Sequence, residues 1–255
     1  MGQLDGKVVL LSGGASDIGR ATALRLAAEG ASVAVGDVTM DGAAAVADEV
    51  VASGGSAIGL VCDVRHDESV AAFVERAVVE FGGVDCMDHN AAWTHPRLDS
   101  DALGVDLGVW ERAIETTTRG ALLLARHAIP FMKERGGGSI VTISSGTSTI
   151  GESIRVAYGV SKAALNQLMR HLAVRYGADG IRANAIAPGF IMTATAAANV
   201  PRDVQDRLAG ANPTRRLGTP DDVARVVVFL CSDASSYVNG QLLHVDGGYH
   251  IAGMM

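Results

Sequence analysis

The stretch Ser12-Gly13-Gly14-Ala15-Ser16-Asp17-Ile18-Gly19-Arg20 decides the fold. A short β-type run, Lys7–Ser12, leads into it, and a helix-period run, Ile18–Glu29, leads out. Small residues let the backbone turn sharply and approach a pyrophosphate, while the unpaired N–H groups and positive dipole end of the helix face the anion. Gly19 lets that helix pack closely on the strand. Strand, glycine loop and helix in this order read as a dinucleotide site, with Gly13, Ser16, Asp17, Ile18 and Gly19 at the cofactor. Asp37 closes the second β-type run, 18 residues after Gly19, near the offset at which an acid binds the adenine ribose. A carboxylate there repels a 2′-phosphate, so NAD is favoured over NADP. Arg20, the nearest cation, lies beyond the loop.

Outward from this unit, β-type and helix-period runs alternate almost to the end. Strands are expected near Lys7–Ser12, Ser32–Asp37, Ala57–Cys62, Val84–His89, Ser139–Ser144, Arg182–Ala187 and Leu242–Val245. Helices are expected over Ile18–Glu29, Gly42–Ala52, Glu68–Phe81, Leu107–Lys133, Arg155–Tyr176 and Asp221–Cys231. Nearly continuous Val/Ile/Leu/Ala strands imply a sheet covered on both faces. The alternation predicts one α/β domain over 1–255, a Rossmann-type doubly wound, seven-stranded parallel sheet with helices on both faces. Segment Thr193–Asn212, rich in Ala, Thr and Asn, interrupts the pattern and is a candidate lid.

A chain of 255 residues with 48% apolar and 19% charged residues is globular. The net charge of −7 and 4% aromatics argue against a nucleic-acid surface. No apolar run is long enough for a membrane span. The N-terminus shows no secretory or lipidation signal, so a cytoplasmic location is expected. Cys62, Cys86 and Cys231 lack metal or redox spacing and read as buried, reduced thiols.

Tyr158 and Lys162 stand four residues apart at the opening of a helical run, so their side chains share one face. A free phenol is a poor base near neutrality, with a pKa of about 10. A fixed cation beside it favours the phenolate.

With glycine loop, Asp37 and the Tyr158–Lys162 pair in this order, the chain resembles the short-chain dehydrogenase/reductase family. The likeness runs from Leu4-Asp5-Gly6-Lys7 to Val245-Asp246-Gly247-Gly248. Asp63-Val64 stands where the family contacts adenine. Ser145 precedes Tyr158 by the family's 13 residues. Asn184 to Thr193 resembles the sixth-strand exit beside the nicotinamide, which implicates Pro188, Gly189, Ile191 and Thr193. The resemblance implies that Tyr158 is the acid/base, that Lys162 lowers its pKa and binds the nicotinamide ribose, and that Ser145 stabilises the substrate oxygen. Hydride passes directly, so no metal is implied. It also implies a homotetramer.

Three positions depart from the family pattern. Asp17 replaces the middle glycine and reads as a helix N-cap. His89-Asn90-Ala91-Ala92 stands for Asn-Asn-Ala-Gly: Asn90 keeps its place at the cofactor, His89 reads as structural, and Ala92 narrows the turn if positive φ is needed. Thr117 takes the place of the catalytic asparagine, whose backbone carbonyl the family uses to hold a water leading from the lysine. It either preserves this proton path with altered geometry or weakens it.

Candidate substrate residues are Trp93, Thr94, His95, Ile150 to Arg155 (with Glu152 and Arg155 as polar anchors), Phe190 to Val200, and the terminal Met254-Met255. Together these imply an NAD(H)-dependent oxidoreductase acting on a small secondary alcohol or ketone, with sugars, acyl thioesters and cyclic alcohols open. Alternatives are an NADPH-dependent 3-oxoacyl thioester reductase and a weakly active cofactor-binding sensor or scaffold.

Overall fold

The apolar runs become seven strands: β1 (Val8–Ser12), β2 (Ser32–Asp37), β3 (Ser56–Val61), β4 (Cys86–His89), β5 (Gly138–Ile143), β6 (Ile181–Pro188) and β7 (Leu242–Val245). The computed structural model describes residues 2–95 and 97–252; Met254 and Met255 lie outside the described residues. The strands form one parallel sheet in the order β3-β2-β1-β4-β5-β6-β7. From β1 the chain winds outward to β3, then returns to β4 on the other side. That reversal opens a crevice at the carboxyl ends of β1 and β4, where doubly wound sheets bind ligands.

Nine helices connect the strands among the described residues: α1 (Asp17–Ala28), α2 (Met40–Ala52), α3 (Asp67–Phe81), α4 (Leu107–Ile114), α5 (Gly120–Glu134), α6 (Val156–Tyr176), α7 (Ala194–Asn199), α8 (Arg202–Ala211) and α9 (Pro220–Cys231). Leu26, Val46 and Val227 from α1, α2 and α9 fill one sheet face. Phe73, Leu124 and Leu165 from α3, α5 and α6 fill the other. Burial on both faces is what the unalternated strand sequences required.

Two segments differ from expectation in a way that shapes the site. The run expected as one helix over Leu107–Lys133 is broken by a π-helical turn at Glu115–Arg119. That turn falls on Thr116-Thr117-Thr118, consecutive β-branched residues that crowd an ordinary helix. The segment between Thr193 and Asn212 is helical, as α7 and α8, with Pro201 separating them. No helix among the described residues is long and apolar enough to cross a membrane. The three cysteines are free and buried.

Candidate active site

Ser16 organises the glycine loop. Its hydroxyl donates to the Gly13 carbonyl (2.9 Å) and accepts the Gly19 N–H (3.1 Å), capping α1. From β4, the Asn90 amide donates to the Gly13 carbonyl (2.9 Å) and to Ser16 Oγ (2.6 Å). A Cβ on Gly19 would overlap the Gly13 carbonyl oxygen, so the loop closes only with glycine there. Ser16 therefore takes the cap role expected of Asp17. Asp17 is instead the first residue of α1, and its carboxylate accepts the Ala194 N–H at 2.7 Å, tying the loop to the start of α7.

Among the first-turn amides, Gly19 gives its proton to Ser16 Oγ and Arg20 to the Ser16 carbonyl. Asp17 and Ile18 lie too early in α1 for an intrahelical acceptor, and their amides remain for an anion. Asp37 accepts the Ala15 N–H through Oδ2 (3.0 Å). Arg20 is bound to Glu49 (Nε to Oε2, 2.6 Å) and is not free to meet a phosphate at Asp37. Asp63 is held by Arg65 at 2.9 and 2.5 Å, which brings its carboxyl down to about 2. Among the described residues, only Arg155 and Arg215 are non-glycine residues with positive φ. The turn at Ala92 thus has no need of glycine.

Ser145 stands just past β5, its hydroxyl accepting from Thr147 N (3.3 Å) and Thr147 Oγ1 (3.1 Å). Lys162 is buried and donates from Nζ to the Ile143 carbonyl at 2.5 Å, with Nζ 5.6 Å from the Tyr158 ring centroid. Burial raises the Tyr158 phenol above its ordinary pKa, opposed by a hydrogen bond from Ser145 and by the Arg155 guanidinium. Burial also brings the Lys162 ammonium down to about 7, opposed by Asp88. Asp88, on β4, is fully buried, neither carboxylate oxygen has a hydrogen-bond partner among the described residues, and burial pushes it up to about 8.

His89 is structural, as its position suggested. It is fully buried, bonded through Nδ1 to Ser12 Oγ (2.9 Å) and through Nε2 to the Thr117 carbonyl (3.0 Å). The Thr117 carbonyl, the oxygen expected to hold a water, thus already engages His89, while Thr117 Oγ1 has no partner among the described residues.

A crevice of about 720 Å³ collects Gly13, Ser16, Asp17, Ile18, Asp37, Asp63, Val64, Asn90, Ser145, Tyr158, Lys162, Pro188, Gly189, Ile191 and Thr193. Of the expected cofactor residues, Gly19 alone stays behind the lining. Trp93 joins the crevice, as do Ile191, Thr193, Ala194 and Thr195 of the Phe190–Val200 stretch, but Glu152 and Arg155 pair with each other (2.9 and 2.7 Å) beside a smaller cavity, and Phe190 borders a separate cavity. His95 stacks obliquely on Trp93, 5.9 Å between centroids, outside the lining.

Sequence reasoning missed Arg112 and Thr116 in the lining. It also missed Asp99. That buried carboxylate accepts the N–H groups of Ala157 and Tyr158, each at 2.9 Å, and so caps the start of α6 from 58 residues away. Nothing local marks it; the only signal was the absence of a capping residue before Val156.

The sheet and its switch-point crevice define a dinucleotide-binding α/β protein. A family model described as Enoyl-(Acyl carrier protein) reductase matches residues 13–250. The chain is 41% identical over 243 residues to the cis-4-hydroxycyclohexanecarboxylate dehydrogenase of Sinomonas cyclohexanicum, covering 95% of this chain and 96% of that one. It is 35% identical over 246 residues to the 7alpha-hydroxysteroid dehydrogenase of Escherichia coli K12, covering 96% and 95%. A solved structure of 7 alpha-hydroxysteroid dehydrogenase complexed with NADH and 7-oxo glycochenodeoxycholic acid superposes with a TM-score of 0.91 at 35% identity, covering 96% of this chain and 94% of that one. The chain belongs to the short-chain dehydrogenase/reductase family, and it is an oxidoreductase.

Proposed function

We propose that this protein interconverts a secondary alcohol and a ketone with NAD(H), using Tyr158 as acid/base. The observation that carries the reading is the convergence of Ser145, Tyr158 and Lys162 on one wall of the crevice whose other wall is the open start of α1. Bound nicotinamide supplies or takes the hydride. Ser145 donates a hydrogen bond to the substrate oxygen and stabilises charge developing there. Tyr158 exchanges a proton with that same oxygen. Because burial raises its phenol, Tyr158 holds its proton at neutral pH, which suits carbonyl reduction; oxidation gains as pH rises. The Asp17 and Ile18 amides receive the pyrophosphate.

Asp37 supports NAD over NADP, since it faces the crevice and Arg20, the cation nearest the glycine loop, is held by Glu49. Both named relatives act on hydroxyls borne by a ring, which supports a cyclic secondary alcohol as substrate class. Exposed Leu107, Leu122, Val160 and Val174 on α4, α5 and α6 support assembly into a homotetramer, in the cytoplasm.

Tyr158→Phe is expected to lower kcat by roughly 10²–10⁴-fold, the usual contribution of a positioned acid/base, with NADH affinity nearly unchanged. Turnover equal to wild type on a panel of cyclic alcohols and ketones sinks the assignment. KM values for NADH and NADPH measured side by side test the role of Asp37. A strong NADPH preference favours the thioester-reductase reading, with which the description of the matching family model is in keeping.

A further inference from the structure

β7 ends in Val245-Asp246-Gly247-Gly248, and a short 3₁₀ turn, Tyr249–Ile251, folds the chain back on it. The turn lays His250 over His244, with ring centroids 3.6 Å apart and planes 12° from parallel. Both Nδ1 atoms face one oxygen of Asp246, at 2.7 Å from His250 and 3.9 Å from His244. Asp246 is buried and firmly placed, accepting the Gly248 and His250 N–H groups at 2.9 Å each. His244 Nδ1 is buried and has no hydrogen-bond partner among the described residues. At 3.9 Å it is too far from Asp246 to share a proton well. An imidazole lone pair and a carboxylate oxygen facing each other across a gap repel, unless a proton or a cation lies between them.

We propose that His244, Asp246 and His250 form a binding site for a divalent transition-metal ion of the zinc class. Two imidazole nitrogens and one carboxylate oxygen are the donors such ions prefer, and this set does not suit magnesium or calcium. The three donor atoms lie within 4.8 Å of one another. Metal bonds of about 2.0–2.2 Å then require the His250 ring, on its exposed turn, to tip out of the stack and aim its lone pair at the ion. The His250 proton moves from Nδ1 to Nε2 through solvent, so ring charge is conserved.

A cavity of about 390 Å³, bordered by Phe190, Asn212, Thr214 and His244, gives the ion an open position for water. The one arginine on that cavity, Arg216, is already paired with Asp222 at 2.6 and 2.8 Å. The cavity shares no lining residue with the catalytic crevice. The ion therefore takes no part in hydride transfer. It pins the Tyr249–Ile251 turn to β7, where Asn212 Nδ2 at the end of α8 already donates to the Asp246 carbonyl at 2.8 Å.

The test is calorimetric titration of Zn²⁺ into the full, tag-free chain after EDTA treatment, with melting followed in parallel. One ion per chain with a Kd on the order of micromolar, and a rise in Tm, are expected. His244→Gln and His250→Gln should each weaken binding by at least about tenfold while NADH binding is retained. If His244→Gln does not fold, His250→Gln on its exposed turn decides alone. No saturable binding, or affinity in the folded variants equal to wild type, overturns the site.

Discussion

At the start of α1, Ser16 caps the helix locally and leaves the Asp17 and Ile18 amides open toward the crevice. At the start of α6 there is no local cap: Arg155 precedes the helix in the left-handed region, φ 64°, and buried Asp99 takes the Ala157 and Tyr158 amides. Both helix starts border the same crevice, in opposite electrostatic states. The first keeps its partial positive charge for an anion. The second has its charge cancelled by a carboxylate, so a phosphate gains little there, and what it presents instead is the Tyr158 side chain. On the proposed function, one terminus binds and the other positions.

Removing Asp99 is the most severe way to break this contrast. In Asp99→Ala two buried amides lose a charged acceptor, a loss of about 1.5–3 kcal/mol for each hydrogen bond. A displacement of Tyr158 by even about 1 Å is expected to cost on the order of 10²-fold in kcat. KM for NADH should hold, because α1 is untouched. Asp99→Asn keeps one acceptor and should recover part of both losses. Parallel loss of kcat and NADH affinity would show that Asp99 acts on the whole fold and not on Tyr158.

The contrast also marks what could be read from the chain and what could not. The cofactor half was legible because each residue sits at a strand end fixed by local pattern: the glycine loop after β1, Asp37 after β2, Asn90 after β4. Ser145, Tyr158 and Lys162 were legible through spacing along β5 and α6. Asp17 was misassigned because a cap candidate next to another, Ser16, cannot be ranked without geometry. Asp99 was invisible because its bonds span 58 and 59 residues. The substrate wall was legible only in part, through Trp93 and the start of the Phe190–Val200 stretch. Glu152, Arg155 and Phe190 follow the right elements, yet pairing and backbone direction turn them toward other cavities.

His89 lies between the two termini, bonded to Ser12 at the entry to the glycine loop and to the Thr117 carbonyl. Beside it, Thr118 Oγ1 donates to the Ser161 carbonyl of α6 at 2.9 Å. Burial pushes the imidazole down to about 3, whereas an unfolded histidine titrates near 6.5. A depressed folded pKa means that the unfolded chain binds the extra proton. Stability is therefore full above about pH 6.5 and falls as pH drops toward 3, by up to ~1.4 kcal/mol per unit. Unfolding free energies from urea titrations at pH 7 and pH 5 should differ by about 2 kcal/mol more in wild type than in His89→Asn. Equal differences would mean that His89 is protonated in the fold and that the two termini are linked otherwise.

The mildest perturbation acts on the open terminus. Ser16→Ala removes the cap from Gly19 N and one of the two acceptors of the Asn90 amide. The usual cost of such a cap is about 1 kcal/mol. The Asn90 bond to the Gly13 carbonyl remains, so the loop keeps its anchor to β4 and the fold should survive. With Gly19 N also released, the helix start gains a free donor but loses the hydroxyl that held the loop in place. Preorganisation falls while partial charge does not. NADH affinity should therefore drop by roughly fivefold or less, an effect near 1 kcal/mol, and kcat at saturating NADH should match wild type. The mirror image of the Asp99 result, affinity lost and kcat kept, is what a binding terminus predicts. A fall in kcat with affinity unchanged would place the positioning role at α1 and reverse the division between the two helix starts.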